Sequence, residues 1–143
     1  MKVKLYYAKN FSKVDENKLL HIISKNLPIN QKRQDLTKIE MPLQVSRVNL
    51  KDTIVKPHSN NKKLLNSKLV EQNECWIVLK GIINISLFDI DKTNLDNLIL
   101  NQGEILITCG GGHSINKSSD DAEMIEIKLG PYEEGNNLIY YEE

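Results

Sequence analysis

At 143 residues, with 40% hydrophobic and 27% charged side chains, the chain is sized for one domain with a real core and has the balance of a folded protein. Formal net charge is zero, and no apolar run approaches the roughly 20 residues that a membrane helix needs. The start, MKVKLYYAKNFSK, lacks the apolar stretch of a signal peptide, so a cytoplasmic protein is expected.

Taken in order, residues 2–8 (KVKLYYA) alternate apolar and polar side chains and predict a strand. Ser12 follows as a helix cap, with Asp15 at the capping-box position and Leu19, Leu20, Ile22, Ile23 and Leu27 as one apolar stripe. These signals predict a helix over about 12–26, stopped by Pro28. From residue 43 onward the pattern is that of strands: 43–50, 53–57, 64–70, 74–80, 82–89, 94–100, 104–109, 113–116 and 122–129. Turn residues punctuate them, among them Lys80-Gly81, Asp89 to Thr93 and Gln102-Gly103. Many short strands at 8–12-residue spacing predict an all-β sandwich or barrel. The chain divides into a strand-and-helix extension at 1–42, a β-sandwich at 43–135 and an acidic tail at 136–143.

The charge is unevenly placed. Residues 1–70 carry 15 Lys+Arg against 5 Asp+Glu, and residues 71–143 carry 4 against 14. The cations of the first half are scattered singly rather than clustered with aromatics, so nucleic acid is not an expected partner. Neutralisation between interleaved halves is one reading; a phosphate-binding lip is the other. Cys75 and Cys109 lie in apolar runs without metal-site spacing and are expected to be buried free thiols.

The residues with chemistry sit at strand ends. His58 follows Pro57, and His58 and Asn60 point the same way along an extended chain. Glu74 opens the apolar run Glu74-Cys75-Trp76-Ile77-Val78-Leu79, where an unpaired carboxylate is costly. His113 follows Gly110-Gly111-Gly112. His21, beside the apolar stripe, is read as structural. Arg47, at strand spacing, could grip a phosphate bidentately with Lys56 in support. Trp76 is read as a core or rim anchor. Glu126 and Lys128 alternate with Ile125, Ile127 and Leu129, which leaves a solvated face and a ligand contact as the two readings.

Glu74-x6-Gly81 and Gly103…His113 resemble the two motifs of the cupin superfamily, and Pro57-His58-x-Asn60 resembles the His-x-His that precedes the motif glutamate. The close Glu126-x-Lys128-x-Gly130-Pro131-Tyr132 is similar to that of the WbuC-type cupin-fold proteins, whose genes tend to lie among polysaccharide-biosynthesis genes. Asn60 stands where the family has a second histidine. The resemblance spans about residues 43–135 and implies a cupin-type double-stranded β-helix, the jelly roll of RmlC-like proteins. It also implies a metal set of His58, Asn60, Glu74 and His113 for one divalent ion (iron, manganese or zinc), with a metal-free site as the alternative.

The function it implies is binding of, or action on, a sugar or nucleotide-sugar intermediate of surface-glycan biosynthesis, as in isomerase or epimerase chemistry. His113 or His58 would be the base and Glu74 its orienting or proton-returning partner, with Arg47, Trp76 and Glu126 contacting the substrate. A non-catalytic ligand-binding or regulatory cupin, or a metal-dependent one, is the alternative. A small sugar-like ligand is the expected partner, with no membrane, and the 2–8 strand would add to a second copy's sheet in a homodimer.

Overall fold

The computed structural model describes residues 7–25, 29, 31–132 and 138–141. They form the strands β1 (Tyr7–Phe11), β2 (Leu19–Ser24), β3 (Arg33–Asp35), β4 (Leu43–Asn49), β5 (Val55–Asn60), β6 (Lys63–Leu65), β7 (Lys68–Val70), β8 (Glu74–Lys80), β9 (Ile83–Phe88), β10 (Asn94–Leu100), β11 (Ile105–Thr108), β12 (Gly112–Ser118), β13 (Glu123–Leu129) and β14 (Leu138–Tyr140). Two antiparallel sheets of five strands carry the fold, in the orders β10-β9-β12-β5-β14 and β11-β8-β13-β4-β3. The architecture is an all-β jelly-roll sandwich. Among the described residues no helix is long and apolar enough to cross a membrane.

The alternating segments behave as the sequence suggests, with one refinement. The run expected at 64–70 is a hairpin, β6 against β7, because Asn66 and Ser67 both take positive φ, 48° and 63°, as a tight two-residue turn requires. The sheets also recruit strands from outside 43–135, since β3 pairs with β4 and β14 with β5.

The helix expected over 12–26 is replaced by a hairpin. Ser12 does cap, its Oγ accepting from the amides of Val14 and Asp15 at 3.1 and 2.8 Å, but only a single turn follows. Asn17 is left-handed at φ 65°, and Leu19–Ser24 then runs back along Tyr7–Phe11. A capping signal is local, whereas β1 offers Ile22 and Ile23 a ladder, and branched side chains fit a strand well. The start of the first expected strand, residues 2–6, and the helix stop at Pro28 lie outside the described residues.

The apolar core gathers at one end of the sandwich interior: Leu50, Trp76, Val78, Ile83, Ile85, Leu100, Ile115, Ala122 and Met124. It draws on both sheets, so it is what clamps them face to face. The cysteines are free but not buried as expected; Cys75 is half-buried and Cys109 exposed.

Candidate functional site

The other end of the same interior is polar. Lys128 on β13 stands opposite Glu74 on β8, and Glu126 opposite Trp76. On β4, Gln44 and Ser46 complete the row. Cross-strand partners share a face, so this row looks across at β5 and β14 of the facing sheet. Between them lies a cavity of about 1530 Å³ whose lining includes Arg33, His58, Glu74, Trp76, Glu126, Lys128 and Tyr140.

Glu74 is held at both oxygens. Oε1 accepts from the Trp76 indole at 2.8 Å and Oε2 from Asn60 Nδ2 at 2.7 Å. His113 Nε2 lies 3.1 Å from Oε2, a close contact without hydrogen-bond direction, so that Nε2 is left without a bonded partner. Burial opposes charge on Glu74, yet the contacts from His113, Lys128 and Asn60 outweigh it and hold the carboxyl well below the usual range.

His58 and His113 meet edge to face with ring centres 4.6 Å apart, and Trp76 meets His113 at the same distance. His113 is fully buried and touches Thr108 Oγ1 through Nδ1 at 3.2 Å. It is a floor beneath the cavity rather than part of its lining. His58 does line it. Its Nδ1 lies 2.7 Å from the Lys56 carbonyl; a carbonyl only accepts, so the proton is on Nδ1 and Nε2 keeps the lone pair. Burial, with His113 and Lys128 nearby, pushes the His58 pKa down against the help of that carbonyl.

The glycines before His113 have a steric task. A side chain at Gly111 would strike the Phe88 carbonyl, and one at Gly112 the Tyr141 hydroxyl. Gly111 thus admits the end of β9, and Gly112 admits Tyr141 as β14 pairs with β5, where Tyr140 lies 5.8 Å from the His58 ring.

Two sequence readings of orientation are corrected here. Glu126 and Lys128 do not form a solvated face; they turn inward, and the apolar partners Ile125 and Ile127 lie half-buried on the outer side. Arg47 does not reach the cavity. It points to the opposite side of β4, ion-paired with buried Glu123 and donating to the Lys25 carbonyl at 3.0 Å. Nor does β4 run beside His58, since β4 and β5 belong to different sheets.

The guanidinium at the cavity belongs instead to Arg33, which the sequence reading passed over. It donates to Glu126 at 2.6 Å, Asp35 at 3.0 Å and Ser46 at 3.1 Å. Burial and the neighbouring Glu74 raise the Glu126 pKa, and Arg33 offsets part of that. Gln72, Tyr140 and Tyr141 were also missed. Only the Tyr140-Tyr141 pair carried a visible signal.

No protein-family model and no curated protein matches the chain. Solved structures do. A variant of Bacillus subtilis oxalate decarboxylase aligns with a TM-score of 0.57 at 16% identity, covering 76% of this chain and 28% of that one. Another structure of that enzyme, described by its Mn(II) centres, gives 0.52 at 16%, over 69% and 24%. KdgF from Halomonas sp. gives 0.51 at 13%, over 71% and 79%. The chain thus spans about a quarter of the oxalate decarboxylase chains. These are cupin-fold proteins, and this chain has the cupin-type jelly-roll fold.

The implied metal set can be tested against the donors present. His113 Nε2 and Glu74 Oε2, 3.1 Å apart, have the spacing of two neighbouring ligands. The set does not close beyond them: among the described residues no group of three His, Cys, Asp or Glu side chains is arranged to hold an ion. Asn60, in the second-histidine position, is an amide, a poor ligand; its Nδ2 donates to Glu74 and its Oδ1, the atom that could meet a cation, has no hydrogen-bond partner. Among the described residues the donors thus form no complete metal set in this structure.

Proposed function

We propose that the protein binds a small polyhydroxylated, sugar-like metabolite in this cavity. The observation that carries the reading is the lining itself. One wall is a hydrogen-bonded row of Arg33, Asp35, Ser46 and Glu126, and the other presents the rings of His58 and Tyr140. Carboxylates and guanidinium pair with hydroxyls, while an aromatic face covers the apolar side of a sugar ring. The likeness of the Glu126-to-Tyr132 close to WbuC-type proteins supports a sugar or nucleotide-sugar intermediate of surface-glycan biosynthesis.

The chemistry available is proton transfer. Neutral His58, oriented by the Lys56 carbonyl, can take a proton from a carbon next to a carbonyl, and charged Glu74 lies behind it as an electrostatic partner. A non-catalytic binding protein is the second reading. It is favoured by the position of His113, which is buried below the cavity and leaves His58 as the histidine lining it. The two readings separate in deuterated water, with proton NMR on reducing sugars. An isomerase-type site exchanges the proton next to the carbonyl, and His58→Gln does not. Binding without exchange assigns the protein to the second reading, and no binding of any sugar overturns both.

A further inference from the structure

We propose that Lys128 is the cation that anchors the ligand, and that the ligand is a hydroxylated monoanion: one oxyanion seated on Nζ and a neighbouring hydroxyl donating to Gln72 Oε1. This rests on the sugar-like reading above and names the group that reading leaves unspecified.

Lys128 is only 8% exposed and lines the cavity. Among the described residues no carboxylate comes within the 4.0 Å of an ion pair with its Nζ, and no hydrogen bond is made by it. The residue is buried while its Nζ keeps access to the cavity, an ammonium with three donors and no acceptor from the described residues. Glu74 across the ladder and Glu126 one side chain along share its face of the sheet without pairing with it. What is missing is an acceptor from outside.

Gln72 supplies the second half of the seat. It is 4% exposed, lines the same cavity and donates through Nε2 to the Leu129 carbonyl at 2.6 Å. That bond pins its amide beside the residue that follows Lys128. Its Oε1 has no hydrogen-bond partner. An unsatisfied donor cation and an unsatisfied neutral acceptor on the lining of one cavity match a ligand that carries both an anionic oxygen and a hydroxyl.

The number of charges limits the ligand further. Arg33 is committed to Asp35 and Glu126, Arg47 is turned away to Glu123, and Lys56 and Lys92 are exposed at the rim. Among the described residues that line the cavity, one deep uncommitted cation suits one negative charge. A diphosphate would set further charge against Glu74 and Glu126.

The test is calorimetry with and without EDTA, using D-gluconate, D-glucose, L-lactate and UDP-glucose, on wild type and Lys128→Met. The expected result is that gluconate binds about ten- to a hundredfold more tightly than glucose. Lys128→Met removes that advantage, bringing gluconate down to the affinity of glucose. Equal binding of gluconate and glucose by the wild type overturns the anchor and leaves the sugar reading standing; this comparison needs no variant. Lactate binding as tightly as gluconate, and lost in Lys128→Met, keeps the anchor and removes the sugar reading. Tighter binding of UDP-glucose overturns the monoanion, loss of gluconate binding in EDTA overturns Lys128 as the cation, and failure of all four probes overturns the whole proposal.

Discussion

The two ends of the sandwich interior are built on the same strands yet hold opposite chemistry. On β8, Val78 sits in the core and Glu74 in the site; on β12, Ile115 and His113; on β13, Met124 and Lys128; on β5, Val55 and His58. A shift of two to four residues along one strand exchanges close-packed aliphatics for buried charge. The apolar end joins the sheets by burial, worth roughly 25 cal/mol per Å² removed from water. The polar end cannot do so, and its carboxylates Glu74 and Glu126 are held there by partners, Trp76, Asn60 and Arg33. One end stabilises the fold; the other spends stability on a cavity. This is the usual relation between a scaffold and its site.

The comparison can be broken most forcefully at the apolar end. Ile115→Ala should lower the unfolding free energy by about 2–5 kcal/mol in a urea titration and leave ligand affinity of the folded fraction unchanged. A comparable loss of affinity would mean the two ends are not separable.

At the polar end the effect on stability should be smaller. Glu74→Gln turns one amide N–H toward a donor, either the Trp76 indole or Asn60 Nδ2, and should cost about 1–3 kcal/mol in thermal unfolding. A neutral or stabilising result would show that Glu74 is not held by these two bonds.

The smallest effect is on pH dependence, and it sharpens the contrast because Val78 and Ile115 do not titrate. His58 has a folded pKa below its ordinary 6.5, so the unfolded chain takes the proton first. Stability should fall as pH drops through 6.5 toward the folded value. Glu74, depressed below 4.5, adds a second loss as pH falls below 4.5. Glu126, raised above 4.5, works the other way: it favours the fold at acid pH, and that contribution is lost as pH rises through its folded pKa. His58→Gln should remove the first limb of the stability curve and keep the second; an unchanged first limb would assign it to another group.

Much of the fold was legible because strand alternation and turn residues are local signals. The runs at 74–80 and 94–100 match β8 and β10 end to end. The segment at 12–26 misled for the same reason: its cap and leucine stripe are local, and its true partner, β1, is not. Within the site, His58, Glu74 and His113 could be picked out as polar residues at strand ends; His58 and Glu74 line the cavity with Trp76 and Glu126, and His113 lies buried beneath it. Arg47 and Arg33 could not be told apart. Both are cations on short strands, and only sheet order and facing direction send one to Glu123 and the other to Glu126.

By itself the sequence determined the class of fold, the bounds of runs such as 74–80 and 94–100, and the residues too polar to be buried without cause, since these depend on period and composition over a few neighbours. The tertiary structure alone decided which face of β13 looks inward. Apolar alternation there points to Ile125 and Ile127, but the interior at that end is a cavity rather than a core, and it takes Glu126 and Lys128. Facing is set by what lies across the sandwich, many residues away in the chain, and no local pattern carries that information.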